Sequence, residues 1–195
     1  MAPPIPPPET RTLQTAGVRR KDAAHASVGE LVRALRALNQ DATSLVALFD
    51  ARAVRTERHL LSAWAHLGRA RARGETRLRD RSAELALYVA GDDQLPRALK
   101  KVGVRDDTVD CVLAAERPRA LPALCETLGL EPAPEAFPGP VTEATLAALG
   151  IEKEERQVVP PEAWEGLILE RIALVDLSAP HAEHDGKPKR PPGPT

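Results

Sequence analysis

Three short segments set the limits on what this chain can become. SLVALFD (Ser44–Asp50) and TVDCVLAAE (Thr108–Glu116) are apolar runs brief enough for strands, RTLQTAGVRR (Arg11–Arg20) is a weak strand candidate with poor alternation, and between them apolar residues recur at helical spacing. This alternation predicts a mixed α/β fold, a single domain in which a three- to four-stranded sheet is flanked by several helices. SLVALFD is apolar without alternation, as a buried strand should be. RIALVDL (Arg171–Leu177) predicts a C-terminal strand.

The helical segments announce their own starts. Ser27 and Glu30 form a capping box ahead of Leu31, Val32, Leu35 and Leu38, which predicts a helix to about Asn39. Thr56 caps a helix whose Leu60, Ala63, Trp64 and Leu67 share one face, with His59 and His66 elsewhere around it, and Gly68 and Gly74 bracket its end. Asp80 caps the next helix, and Arg119–Leu128 reads as helical. Thr142 opens a short helix that stops at Gly150, and Pro160 and Pro161 open another carrying Trp164, Leu167 and Ile168. EPAPEAFPGP, Glu131–Pro140, predicts a proline-rich surface loop.

At 195 residues and 43% hydrophobic, the chain can bury one good core. Residues 1–9 and 179–195 are rich in proline and polar groups and are expected to be disordered tails around a domain spanning 10–178. With 27 basic against 28 acidic residues, no global field favours nucleic acid or a membrane surface. No apolar run approaches the roughly 20 residues of a spanning helix, and MAPPIPPPE is unlike a signal peptide, so a cytoplasmic protein without membrane contact is expected. Cys111 and Cys125 lack metal-ligand spacing and read as buried small hydrophobes.

No glycine-rich phosphate loop and no nucleophile elbow around Ser62 or Ser82 is present, so no catalytic residue and no cofactor is assigned. His181 and His184 lie in the tail without a third ligand. His59 and His66 stand two turns apart with no carboxylate or cysteine at i+4, so no metal is assigned. One charged feature remains. GRARARGETRLRDR, Gly68–Arg81, carries Arg69, Arg71, Arg73, Arg77, Arg79 and Arg81 against two acids, and phosphate is the natural partner of such a cluster.

Immediately downstream, ELALYVAGDDQLPRALKKVG breaks one helical run at Gly91, a residue free to take positive φ, and Asp92 or Asp93 can cap the next. The new helix N-terminus, with unsatisfied amides near the arginines, suits phosphate, which adds Gly91 and Gln94 to the candidate phosphate-binding residues.

ERHLLSAWAHLGRA, AELALYVAGDDQLPRALKKVGV and LILERIALVDL together resemble the PRPK-binding protein family, a subunit of the KEOPS complex. The similarity spans about Arg11 to Leu177 and rests on His59, Ala63, Glu84, Ala90, Gly91, Gln94, Leu95, Ala98 and Gly103 in matching order. Asp93 departs from it, standing where many relatives carry a basic residue, and so does the proline-rich 131–140 segment. The resemblance implies a non-catalytic subunit that binds the kinase-like ATPase of KEOPS and meets the other subunits indirectly. In archaeal members it also implies capture of the single-stranded CCA end of tRNA for threonylcarbamoyladenosine modification. The rival reading is a structural kinase-binding adaptor that never touches RNA. A third, an enzyme, would need a polar pocket around His59 and Glu84.

Overall fold

The computed structural model describes residues 12–21, 27–40, 45–116 and 119–178. The expected tails and His181 and His184 lie outside these residues. Four strands are present among the described residues: β1 (Leu13–Arg20), β2 (Val46–Asp50), β3 (Asp110–Glu116) and β4 (Leu130–Pro132). They form one antiparallel sheet in the order β2-β3-β1-β4. The eight α-helices are α1 (Val28–Leu38), α2 (Glu57–Ala72), α3 (Arg81–Ala90), α4 (Leu95–Val102), α5 (Leu121–Thr127), α6 (Glu143–Ala148), α7 (Lys153–Gln157) and α8 (Trp164–Leu177). The expected mixed α/β class is what forms.

Alternation along β2 and β3 divides the core in two. Leu45, Ala47, Phe49, Val112 and Ala114 face α2, α3, α4 and α8, whereas Val46, Leu48, Cys111, Leu113 and Ala115 face α1 and α5. Both faces are covered, which is why β2 is buried at every position despite being an edge strand. Its outer edge is closed as well: the Asn39 side chain bonds the Val46 amide and carbonyl, each at 2.8 Å, and Phe49 pairs with Gly103. Ser27, Thr56, Asp80 and Thr142 all cap helices as their positions predict, each contributing about 1 kcal/mol. Both cysteines are buried and free.

Two expectations are overturned. RIALVDL is no strand but the second half of the 14-residue helix α8. Its β-branched residues suggest a strand in isolation, yet Ile168, Ile172 and Val175 are buried at helical spacing over the whole segment. The 131–140 segment is not a surface loop either. Its start supplies β4, paired with β1 from Val18↔Pro132 to Arg20↔Leu130, where an edge strand tolerates proline. Ala133, Ala136 and Phe137 are then buried, and Arg55 donates to the Ala136 and Pro140 carbonyls at 3.0 and 3.3 Å.

That segment leaves no room above β1. A β-carbon on Gly17 would lie 2.4 Å from the Ala133 carbonyl oxygen and 2.9 Å from the Phe137 nitrogen. Gly17→Ala is therefore expected to destabilise by about 2 kcal/mol, read as a lower urea midpoint at unchanged m.

Candidate functional site

Helices α2 and α3 run antiparallel, and this separates the sequence-predicted residues into two groups. All six arginines sit around the turn from α2 into α3, whereas Gly91 and Gln94 follow the far end of α3. Ten residues of helix intervene, about 15 Å at 1.5 Å per residue. The expected juxtaposition of arginine loop and Gly91 turn does not form, because the full length of α3 stands between them.

At the arginine end, much of the charge is turned inward. Glu84, on the first turn of α3, is fully buried. It accepts from Arg71 Nε at 2.8 Å and from the main-chain amide of Arg77 at 2.7 Å. Arg71 also donates to the Leu78 carbonyl, and Arg77 donates to the Val175 carbonyl near the C-terminus of α8. Arg81 is buried against Glu116 through a 2.6 Å bond and stacks over Trp64 at 5.3 Å. Arg73 pairs with Glu75, an exposed pair that stays open to competing anions. Arg69 and Arg79 are exposed. Of the six, then, Arg69, Arg73 and Arg79 face solvent, and Arg71, Arg77 and Arg81 are partly or wholly committed to the fold.

Beside them, the Asp176 carboxylate accepts from His66 Nδ1 at 2.7 Å and from Tyr88 Oη at 3.0 Å. Burial, reinforced by Asp176, pushes the Tyr88 phenol up to about 12, so it stays a donor at neutral pH.

The Gly91 end is a helix stop packed against α8. Gly91 adopts φ 58°, its amide bonds Tyr88 O and the Asp92 amide bonds Leu87 O, the paired bonds of a Schellman motif. The Gly91 amide is thus occupied and does not point at a ligand. Asp92 does not cap α4 through the first-turn amides; it accepts from the Gln94 amide, Arg97 and Lys101. Burial alone would raise its pKa, but these three donors outweigh it and hold the carboxyl below the usual range. Gln94 is exposed and carries two carboxylates as neighbours. Both carboxylates are engaged by cations, Asp92 by Arg97 and Lys101 and Asp93 by Arg97.

The two histidines do not share a site. His59 is fully buried, with Nε2 donating to the Val89 carbonyl at 2.8 Å and Nδ1 left without a partner. His59 and Glu84 lie at opposite ends of α3, each enclosed by protein, so the polar pocket an enzyme would need around them is not formed. A cleft of about 320 Å³ lies elsewhere, between α1 and the end of α5, lined by Leu31, Ala34 and Leu128 with Arg20, Lys21 and Glu30. Among the described residues no group of three or more His, Cys, Asp or Glu could hold a metal ion, and no helix is long and apolar enough to cross a membrane. No protein-family model matches the chain, and no curated protein matches it.

Proposed function

We propose that the chain is a non-catalytic KEOPS-type subunit of the PRPK-binding protein family, acting in the cytoplasm. In this reading it docks on the kinase-like ATPase subunit and recruits tRNA through its CCA end for threonylcarbamoyladenosine modification. The observation that carries the reading is how the motif residues interlock. His59 bonds the carbonyl of Val89 beside Ala90, Gly91 lies under α8, Ala63, Ala90 and Ala98 are buried between helices, and Gly103 pairs with Phe49. Residues matched in linear order form one α2–α3–α4 unit.

The kinase would meet α8. That helix is apolar on most sides, yet it is a surface element with Leu174 and Leu177 exposed. Exposed leucines beside a buried apolar face suit a surface that a partner covers. Glutamate at both positions is expected to weaken co-purification with the kinase subunit by about 2 kcal/mol, roughly thirtyfold. Unchanged capture would remove α8 from the interface.

The RNA would meet Arg69, Arg73 and Arg79. Three phosphate contacts on a single strand give a slope of about −2 in log affinity against log salt. A tRNA titration with and without the CCA end tests this mode; equal binding of both would reject it. A structural adaptor without RNA contact is the second reading, favoured by the inward commitment of Arg71, Arg77 and Arg81. It is selected if Arg69→Ala with Arg79→Ala leaves tRNA affinity and salt slope unchanged.

A further inference from the structure

The first half of the turn that carries the arginines is closed by main-chain bonds from Arg73, Gly74 and Glu75 back to α2, but its second half, residues 76–80, is not held by its own main chain. Among the described residues, the one backbone amide from 76 to 80 with a protein acceptor is that of Arg77, and the acceptor is Glu84. The other oxygen of Glu84 takes Arg71 Nε, while Arg71 Nη2 reaches the Leu78 carbonyl at 3.0 Å. A single buried carboxylate therefore gathers the last turn of α2, the middle of the loop and the first turn of α3. On the far side, Arg77 ties the same loop to the Val175 carbonyl of α8.

We infer that Glu84 is the positioning residue of the arginine end: it fixes the second half of the loop from inside, so that Arg79 is presented at a set spacing from Arg69 and Arg73, which α2 and its C-cap hold. This rests on the RNA-end reading above. Glu84 is fully buried and touches no RNA itself. It acts through Arg71, whose planar fork bonds the carboxylate and a carbonyl at once, a geometry that a lysine ammonium cannot reproduce.

Arg71→Lys keeps the charge of the chain and removes the fork. If the arginines act only as a cloud of positive charge, this variant binds tRNA as the wild type does. If the loop must be held, affinity falls about fivefold, the equivalent of one net hydrogen bond, and trypsin cuts faster after Arg77 and Arg79. Glu84→Gln, which leaves Arg71 without its counter-charge, is expected to do both more strongly. The probe is intact tRNA bearing its CCA end, with the full chain and with circular dichroism at the assay temperature to show that each variant is folded. Should Glu84→Gln fail to fold, Arg71→Lys decides alone, because it leaves the buried carboxylate neutralised. A folded Arg71→Lys protein with wild-type affinity and wild-type loop protection overturns the positioning role. Absence of tRNA binding by the wild type overturns the RNA-end reading instead, and the trypsin pattern then still decides whether Glu84 holds the loop.

Discussion

Replacing Gly91 by alanine is expected to cost about 3 kcal/mol, the balance of two separate penalties and one smaller gain. The left-handed conformation at φ 58° costs an L-residue about 1–2 kcal/mol. The new β-carbon would also stand 2.7 Å from Arg171 Cβ and 3.3 Å from the Arg171 carbonyl oxygen, and overpacking of this kind costs about 1–3 kcal/mol. Alanine lowers the entropy of the unfolded chain and returns only a few tenths to about 1 kcal/mol. Arg171 cannot easily withdraw, because the clashing atoms are its β-carbon and main chain, which are fixed within α8. Gly74 is the internal control. It too has positive φ, at 75°, but nothing lies within 4 Å of its would-be β-carbon. Gly74→Ala should therefore show the conformational penalty alone, about 1 kcal/mol. The comparison is made by urea denaturation of both variants. Equal losses would mean that α8 yields at Arg171 and that the clash has no weight.

The contact between Gly91 and α8 also explains where the sequence could be read and where it could not. Capping residues act on amides two or three positions away, so Ser27, Thr56, Asp80 and Thr142 declare their helices locally. The runs around β2 and β3 are likewise legible from a few residues, whereas β1, with little alternation and three arginines in RTLQTAGVRR, is only faintly so. RIALVDL is not, because β-branched residues in a short window look alike in a buried helix and a buried strand, and only the preceding Trp164–Glu170 turns decide it. That one misreading has a consequence for the site. With α8 read as a strand, nothing covers the flank of α2 that carries His59 and His66, and both would lie away from the buried face. In the fold, Asp176 binds His66, Glu165 binds Thr56 at the start of α2, and Arg171 covers Gly91.

The arginine cluster shows the opposite case. Its composition is plain in the sequence, but the partners that hold it are not, since the Glu116 carboxylate lies 35 residues from Arg81 and the Val175 carbonyl 98 residues from Arg77. Long-range pairs of this sort arise from topology, and no local pattern marks them. Equally, the antiparallel course of α2 and α3 places the arginines and Gly91 at opposite ends, although the two are adjacent in sequence.

The same burial makes His59 the group that ties stability to pH. Desolvation lowers its pKa from 6.5 to about 4, against the opposing pull of the Val89 carbonyl and Glu165. A base whose folded pKa is depressed is neutral in the folded chain and protonated in the unfolded one across that interval. Its contribution is then fully present above about 6.5 and is lost as the pH falls toward 4. At 1.36 kcal/mol per unit, the loss amounts to about 3 kcal/mol. Asp92, Asp107 and Glu155 have pKa values lowered from 3.8 or 4.5, so their losses begin only below that range. The interval from about 6.5 down to 4.5 is therefore where the His59 shift acts. Urea midpoints measured at steps through it should fall steadily for the wild type. His59→Gln keeps an amide donor for the Val89 carbonyl and has no proton to gain, so its midpoint should stay level over the same interval even if lower throughout. A parallel fall in both proteins would assign the acid sensitivity to some other group.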